Sequence, residues 1–348
     1  MRAAVVRSFG GPIAVETVPD PEPPAGGVVL RVRATGVCRS DWHAWQGHDA
    51  GVELPIVPGH EMAGVVEAVG EGVSSWRPGD RVTLPFVLAC GRCPRCEAGD
   101  RQVCDDQHQP GFTHWGSFAE LVAVGRAEGN LVRLPESVDF ATAAALGCRF
   151  ATAFRGVLDQ GRLQAGEWAA VHGCGGVGLS AVMIAAAAGG RVLAVDIDPE
   201  KLALARSLGA EQTLDARGLP PEAVAAAAAD LTEGGPHLSL DCLGHPDACL
   251  ASVLSLRPRG RHVQAGLLLA GQARTPLPMD RVVALELEVL GTHGMAAPRY
   301  AAMLGMIAAG RLDPARLVGR RITLDEAPAA LTAMGDFAGV GATVIDHF

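Results

Sequence analysis

Short apolar stretches in which every second residue tends to be hydrophobic dominate residues 1–85. They fall at residues 3–6, 13–15, 28–32, 64–70 and 79–84, with proline and glycine between them. A period of two is typical of strands with one buried face, and Pro and Gly mark the turns that separate strands. The pattern therefore predicts a β-rich N-terminal domain with many tight turns, built as a small barrel or an irregular sheet.

The pattern changes to helix at residues 141–158, and strands and helices alternate from residue 167 onward. The strand-like runs are 168–172, 191–196, 238–242, 261–266 and 289–294, and the helix-like runs are 179–188, 201–208, 222–231 and 248–256. This alternation predicts a doubly wound parallel sheet with right-handed crossovers.

The C-terminal part is too small to fold alone. It contains two short helical runs, 299–309 and 325–334, and a final strand at 342–346. We expect it to return to the N-terminal domain. The predicted domains are thus 1–150 together with 289–348, and 151–288.

Length and composition restrict the class of protein. A chain of 348 residues with 49% hydrophobic residues is long enough for two cores. The net charge of -9 argues against a nucleic-acid or anionic-membrane partner. No apolar window approaches the roughly 20 residues of a spanning helix, and the N-terminal residues do not resemble a signal peptide. Nine cysteines without a predicted leader indicate reduced thiols and a cytoplasmic protein.

Four cysteines are closely spaced, at Cys90, Cys93, Cys96 and Cys104, in the pattern C-x2-C-x2-C-x7-C. Four thiolates this close can close a tetrahedral shell around Zn²⁺, which would be a structural metal site. An iron–sulfur cluster is the rival interpretation, but its bacterial pattern ends in x3-C-P, unlike the last gap here. Four unrelated free thiols in one loop are the remaining alternative.

Two further segments and a separate cysteine carry metal-binding residue types. Residues 36–43 contain Cys38, residues 58–61 contain His60, and Cys148 stands apart in Leu-Gly-Cys-Arg. Two cysteines and one histidine are a ligand set of catalytic zinc, which keeps a fourth position open for water or substrate.

A glycine-rich turn lies between a predicted strand and a predicted helix. Its residues, in the pattern G-x-G-x-x-G, are Gly173, Cys174, Gly175, Gly176, Val177 and Gly178. The next predicted strand ends at Asp196, which is the context of the dinucleotide fingerprint. The glycines would let the backbone approach a pyrophosphate at the helix N-terminus. A carboxylate at Asp196 accepts ribose hydroxyls and repels a 2′-phosphate, which favours NAD over NADP. The alternative is a tight turn without a ligand.

These motifs, in this order, resemble the zinc-dependent alcohol dehydrogenases of the medium-chain dehydrogenase/reductase superfamily over essentially the whole chain. The matching stretches are 36–41, 58–61, 79–82, 90–104, 173–178 and 195–198. The resemblance implies a GroES-like catalytic domain split in sequence around a Rossmann domain, with two zincs per chain. It implies reversible hydride transfer between an alcohol held at zinc and NAD⁺, giving an aldehyde or ketone. The similarity is to bacterial members, so a homo-oligomer is expected, a tetramer rather than a dimer.

The resemblance also implies roles for individual residues. Cys38, His60 and Cys148 match the catalytic zinc ligands, and the four clustered cysteines match the structural zinc site. The remaining matches around the metal are Glu61 beside the metal, Asp41 as the carboxylate that orients the ligand histidine, Ser40 as the hydroxyl that bonds the alcohol oxygen, and His43 as the outer base of a proton relay.

On the cofactor side, Arg39 matches a pyrophosphate contact, and Asp196 with Lys201 matches the pair that holds the adenosine ribose. Gly266 and Leu267 match backbone positions near the nicotinamide.

Two features depart from the family. Cys174 places a thiol inside the glycine turn, and residues 341–343 lack an arginine that many members use on the pyrophosphate.

Three functions are compatible with the motifs. The first is an NAD-dependent zinc alcohol dehydrogenase. The second is a polyol or glutathione-adduct dehydrogenase on the same scaffold, and the third is a zinc-binding relative without catalysis. Four aromatic residues either line a substrate cleft or pack in a core: Trp42, Trp45, Phe86 and Trp115.

Overall fold

The computed structural model describes residues 1–336 and 339–348, which form two compact units. The first unit contains Met1–Ala151, Gly294–Ala308 and Asp313–Phe348, and the second contains Thr152–His293 and Ala309–Leu312. The chain therefore leaves the first unit once and comes back to it, with a short excursion at Ala309–Leu312.

The first unit is built on a seven-stranded sheet and a separate hairpin. The hairpin pairs Arg2–Val6 with Ile13–Thr17. Six strands of the sheet follow one another in the order Val318–Thr323, Ala342–His347, Val28–Val37, Glu61–Val69, Arg81–Thr83 and Val132–Arg133. The seventh strand, Leu121–Val124, lies off this path and pairs with Val28–Val37. The long strand Val28–Val37 is central because it pairs with three neighbours, and its residues are buried except at two positions.

Several apolar clusters hold this unit together, two of them large. One lies with the hairpin and includes Val6, Phe118 and Leu331, and the other lies with the sheet and includes Leu30 and Val66. Burial of such side chains contributes about 1.5–3 kcal/mol each. The β-rich architecture predicted from the period-two pattern is confirmed. The strands Leu121–Val124, Val132–Arg133 and Val318–Thr323 were not predicted, because they are short or mostly polar.

The second unit is a six-stranded parallel sheet. Its strands, in sheet order, are Gln212–Asp215, Arg191–Asp196, Trp168–His172, Leu238–Asp241, Arg261–Gln264 and Glu288–Gly291. Numbered along the chain this order is 3-2-1-4-5-6, that of dinucleotide-binding Rossmann sheets. The predicted doubly wound parallel sheet is confirmed. The edge strand Gln212–Asp215 was not predicted, because none of its residues is fully buried.

The strand predicted at 289–294 is shorter and lies in the second unit. Glu288–Gly291 pairs in parallel with Arg261–Gln264 along its whole length. The second unit accordingly extends to His293, beyond the end at residue 288 expected from the sequence. The hydrogen-bond ladder to Arg261–Gln264 is the physical reason.

Helices occupy the connections. The α-helices are Arg39–Trp45, Pro94–Glu97, Ala127–Asn130, Phe140–Ala144, Ala151–Phe154, Gly176–Ala187, Pro199–Ser207, Pro221–Leu231, Pro246–Ser255, Met279–Ala284, Tyr300–Ala308 and Ala327–Thr332. Two π-helical turns, Leu146–Phe150 and Arg155–Gln160, flank Ala151–Phe154. The 3₁₀ turns are Arg101–Val103, Ala270–Gln272, Ala297–Arg299, Pro314–Leu317, Leu324–Glu326 and Ala333–Asp336. Over residues 1–336 and 339–348, none of these helices is long and apolar enough to cross a membrane.

Candidate metal centre and nucleotide-binding turn

Cys38, His60, Glu61 and Cys148 bring their donor atoms to one place in the first unit, all within 4.8 Å of one another. Antiparallel pairing of Gly36 with Glu61 sets Cys38, at the end of one strand, beside His60, at the start of the next. Cys148 arrives on the π-helical turn Leu146–Phe150, a distortion frequent at functional sites. The structure thus places together the three residues that resemble catalytic zinc ligands, with one carboxylate beside them.

The imidazole of His60 is oriented by Asp41. His60 Nδ1 lies 2.8 Å from Asp41 Oδ1, and the same carboxylate accepts hydrogen bonds from Gly59 N at 3.0 Å and Cys38 N at 3.1 Å. A carboxylate can only accept, so the proton of neutral His60 is on Nδ1. His60 Nε2 is buried, and within the described residues it has no hydrogen-bond partner. In the neutral imidazole this nitrogen carries a buried lone pair beside two thiols, which fits a zinc ion.

Charge in the cluster perturbs its pKa values. Burial by itself lowers the pKa of His60, but the Asp41 carboxylate and Cys38 raise it well above its ordinary value. The hydrogen bond between the two thiols lowers the pKa of Cys38 and raises the pKa of Cys148. One thiol of the pair therefore ionises readily, as a metal site with thiolate ligands requires.

Glu61 is held by Arg149, a residue that sequence reasoning did not single out. Its Oε1 accepts hydrogen bonds from Arg149 N and Nε, both at 3.0 Å, and its Oε2 pairs with the other end of the guanidinium. Both side chains are buried, and burial raises the pKa of Glu61 while Arg149 opposes that rise. The sequence did contain a signal for this pair, because Arg149 directly follows Cys148 and Glu61 directly follows His60.

Tyr300 supports the π-helical turn Leu146–Phe150, and the sequence analysis did not single it out. Its side chain is fully buried, and its hydroxyl donates to Gly147 O at 3.1 Å, next to Cys148. It is the only tyrosine in the chain. No local motif connects residue 300 with residue 147, so the sequence carried no signal for this contact.

The helix Arg39–Trp45 carries the residues that resemble a proton relay. Ser40 and His43 are half-buried. His43 Nδ1 lies 3.0 Å from His48 Nδ1, and burial, followed by the charges of Arg39 and His48, lowers the pKa of His43 to about 4. His43 is therefore a neutral base at pH 7. Arg39 stacks on Trp42 at 4.8 Å and donates to Met334 O at 2.6 Å.

The four-cysteine lobe is a second cluster of donors. Cys90, Cys93, Cys96 and Cys104 have their sulfur atoms within 4.8 Å of one another, with Sγ–Sγ distances of 4.0 Å for Cys90–Cys96 and 3.8 Å for Cys93–Cys104. A tetrahedral zinc with Zn–S bonds of about 2.3 Å needs sulfurs about 3.8 Å apart. Backbone N–H groups, first that of Cys96, lower the pKa of Cys93 to about 6. The lobe fits a closed zinc site.

The glycine-rich turn lies in the second unit at the carboxyl end of strand Trp168–His172. Gly173 has φ +89°, and a Cβ on Gly178 would lie 1.8 Å from Gly173 O, so the turn is tight enough to require glycine. Helix Gly176–Ala187 begins there. The Cys174 thiol is buried and faces Val195 O at 3.9 Å, so it packs beneath the turn. Burial raises its pKa.

The other predicted cofactor residues also lie in the second unit. Asp196, at the end of its strand, accepts hydrogen bonds from Cys174 N, Ile197 N and Asp198 N. Lys201 Nζ is 3.7 Å from Asp198 Oδ2, and its side chain is mostly buried. Gly266 and Leu267 follow strand Arg261–Gln264, and Leu267 is exposed. A Cβ on Gly266 would lie 2.1 Å from the backbone of residue 244.

The aromatic residues that could either line a substrate cleft or pack in a core differ in their surroundings. Trp45 belongs to the apolar core of the hairpin, whereas Trp115 is partly exposed and donates to Pro55 O at 3.0 Å. The Phe86 ring lies 6.0 Å from the His60 ring. Phe112, which the sequence did not single out, lies 5.3 Å from it.

Sequence comparison agrees with this geometry. Residues 24–136 match the family model described as alcohol dehydrogenase GroES-like domain, and residues 176–309 match that described as zinc-binding dehydrogenase. An alcohol dehydrogenase of Rhizobium meliloti is 40% identical over 270 residues, which are 77% of each chain. The chain belongs to the zinc-binding alcohol dehydrogenase family. An alcohol dehydrogenase of Geobacillus stearothermophilus is 35% identical over 84% of each chain.

Solved structures place the enzyme in the same family. The alcohol dehydrogenase of a Thermus species superimposes with a TM-score of 0.89 over 100% of both chains at 32% identity. A structure described as an NAD-dependent alcohol dehydrogenase does so with a TM-score of 0.90 over 100% of both chains at 30% identity. The expected resemblance, the GroES-like and Rossmann folds, and the alcohol dehydrogenase function are confirmed.

Proposed function

We propose that this alcohol dehydrogenase oxidises an alcohol to an aldehyde or ketone, reversibly, with NAD⁺ as the hydride acceptor and Cys38, His60 and Cys148 as zinc ligands. The observation that carries the proposal is the buried His60 Nε2, which has no hydrogen-bond partner among the described residues and lies beside two cysteines, while Asp41 holds Nδ1 of the same ring. Three ligands are the number found in catalytic rather than structural zinc sites. When bound, zinc supplies Lewis-acid activation of the alcohol.

The protein's own residues then handle the proton. The hydroxyl proton must leave before a hydride can leave the carbon. We assign Ser40, the hydroxyl two residues from Cys38, to accept that proton while it gives up its own hydroxyl proton toward His43. His43, neutral at pH 7 because of its low pKa, receives the proton from that side and passes it outward. Asp41 accepts the hydrogen bond from His60 Nδ1, so it positions the ligand and does not enter the relay.

We propose that NAD is preferred to NADP because of the Asp196 side chain. Asp196 ends the strand after the glycine turn, and its carboxylate would repel a 2′-phosphate. Lys201 is the neighbouring cation assigned to the adenosine ribose, and Arg39 the one assigned to the pyrophosphate. Gly173, Gly175, Gly176, Val177 and Gly178 would present backbone to the phosphates, with Gly266 and Leu267 toward the nicotinamide.

A second zinc per chain is proposed for the four-cysteine lobe, where it would be structural. All nine cysteines are free thiols, and a lobe of four thiolates needs a reducing compartment. We therefore propose a cytoplasmic enzyme.

A homo-oligomer, a tetramer rather than a dimer, is proposed from the family resemblance and from one edge of the second unit. Glu288–Gly291 is the last strand of its sheet and has no strand on its outer side in the described chain. Val289 on that strand is exposed, as are Met279 and Val283 on helix Met279–Ala284, Val283 by 74%. An apolar sheet edge invites pairing with another copy. Light scattering of wild type and Val283→Asp tests this, because a smaller assembly is expected for the variant.

The decisive experiment combines elemental analysis with NADH formation. We expect two zincs per chain and turnover of NAD⁺ with a panel of primary, secondary, benzylic and polyol alcohols, ranked by kcat/KM. Cys148→Ser should lose the catalytic zinc and activity but keep the structural zinc. An active Cys148→Ser enzyme with one zinc would refute the assignment. A wild-type preference for NADP⁺ would show that the role given to Asp196 is wrong.

A further inference from the structure

The metal cluster contains one more potential ligand than a catalytic zinc site uses. Glu61 offers a carboxylate oxygen within 4.8 Å of the donor atoms of Cys38, His60 and Cys148. Four protein ligands close a tetrahedral zinc site, and three leave it open. The position of the Glu61 carboxylate therefore decides which kind of site this is.

Arg149 occupies both oxygens of that carboxylate. Its backbone N–H and Nε donate to Glu61 Oε1, each at 3.0 Å, and the far nitrogen of its guanidinium pairs with Oε2. Glu61 is fully buried and Arg149 is 7% exposed, so solvent does not compete for the pair. A planar guanidinium that grips both oxygens restrains the carboxylate in direction as well as distance.

The space for this ion pair is built into the adjacent strand. A Cβ on Gly36 would lie 2.2 Å from Glu61 Oε2 and 2.6 Å from Arg149 Nη2. Any side chain at position 36 would collide with the pair. A Cβ on Gly147 would come within 3.2 Å of Glu61 Cα on the other side. Two glycines and one arginine thus define where the carboxylate lies.

Position along the chain gives the pair a second consequence. Arg149 directly follows the ligand Cys148, and Glu61 directly follows the ligand His60. The ion pair therefore ties together the two segments that carry these ligands. It also balances charge, because two thiolates already neutralise Zn²⁺ and an additional anionic ligand would make the centre negative.

We propose that Arg149 is a positioning residue that holds the Glu61 carboxylate off the metal and so keeps the fourth coordination position open for substrate. The inference rests on the proposed Cys38, His60 and Cys148 zinc site. Without Arg149 the buried carboxylate loses its counter-ion, and the nearest cation is the metal itself. Glu61 then becomes the fourth ligand and closes the site.

Cobalt-substituted protein tests this without relying on turnover. Co²⁺ at the catalytic site reports its ligands by visible absorption, and titration with imidazole measures whether an outside ligand can enter. Wild type should bind imidazole. Arg149→Met should bind it about tenfold more weakly or worse, because a tethered carboxylate competes at high effective concentration. The Glu61→Gln/Arg149→Met double variant should recover the wild-type spectrum and affinity.

The controls separate a positioning role from a structural one. Glu61→Gln alone should leave the cobalt spectrum and the imidazole affinity at wild-type values, because Glu61 is not a ligand there; a change in either would overturn the proposal even if Arg149→Met does not fold. Equal weakening in Arg149→Met and the double variant would show mere structural damage. Wild-type affinity in Arg149→Met would also refute the proposal. Failure of wild type to take cobalt at this site, with the lobe filled, would instead refute the proposed zinc centre.

Discussion

Asp41→Asn should weaken metal binding at the Cys38, His60 and Cys148 site while leaving the fold intact. Asp41 is fully buried, and its Oδ1 accepts from His60 Nδ1 at 2.8 Å and Gly59 N at 3.0 Å, while its Oδ2 accepts from Cys38 N at 3.1 Å. If the asparagine oxygen keeps the two bonds of Oδ1, its NH₂ group faces Cys38 N–H, and a donor meets a donor.

The cost can be worked from these contacts. A buried N–H left without an acceptor costs about 1–3 kcal/mol. Loss of the carboxylate behind a ligand histidine typically lowers metal affinity by about 10–100-fold, which is roughly 1.4–2.7 kcal/mol. Both effects act on residues at the metal. We therefore expect the loss of metal affinity to lie toward the roughly 100-fold end of the range.

Competition against a coloured zinc chelator measures the effect. The catalytic zinc of Asp41→Asn should be lost at a chelator concentration about 10–100-fold lower than in wild type, and the zinc of the four-cysteine lobe should be retained. Asp49→Asn is the matched control, because Asp49 is exposed and its Oδ1 accepts a hydrogen bond from Gly51 N at 2.9 Å, away from the metal ligands. Equal zinc retention in Asp41→Asn and wild type would refute the reasoning about His60.

Three further predictions concern other buried groups. Tyr300→Phe removes the hydroxyl that donates to Gly147 O and should lower the free energy of unfolding by about 1 kcal/mol, measured by urea denaturation. Burial lowers the pKa of His172 to about 3, so the unfolded chain binds its proton more readily and stability falls as pH drops from about 6.5 toward 3. His172→Met should therefore lose about 2 kcal/mol less than wild type between pH 7 and pH 5. Lys201 is the only lysine, and NAD⁺ at ten times its Kd should slow its reaction with an amine reagent about tenfold, measured by peptide mass spectrometry.

Each of these three predictions has a control or an outcome that would contradict it. For Tyr300→Phe, zinc content distinguishes loss of stability from loss of the site, and unchanged unfolding would contradict a role for the hydroxyl. A His172→Met variant whose stability falls as steeply as that of wild type between pH 7 and pH 5 would contradict the role given to His172. The N-terminal amine provides the reference in the labelling experiment, and equal protection of both amines would mean that NAD⁺ acts by depleting the reagent.

The parts of the structure that were predictable are those written in local patterns. Alternating strands and helices predicted the parallel sheet, and the cysteine spacing predicted the four-cysteine cluster that the structure brings together. Arg149 and Tyr300 escaped because their partners, Glu61 and Gly147, are 88 and 153 residues away, and only the folded chain joins them. The orientation of the Cys174 thiol could not be predicted either, since the sequence does not say which side of a tight turn faces the core.

The last strand of the chain has a consequence for biosynthesis. Ala342–His347 pairs with the strand that leads into Cys38, with Thr343 opposite Val37 and Ile345 opposite Thr35. Residues 152–293, which hold the whole parallel sheet of the second unit, therefore leave the ribosome before the strand that completes the sheet behind the metal ligands has been made. The nucleotide-binding unit can form before the strand Ala342–His347 is made, whereas the sheet behind the metal centre must wait for that strand. A product that stops between Leu312 and Ala342 would then contain a folded second unit and a first unit that lacks one strand of its sheet.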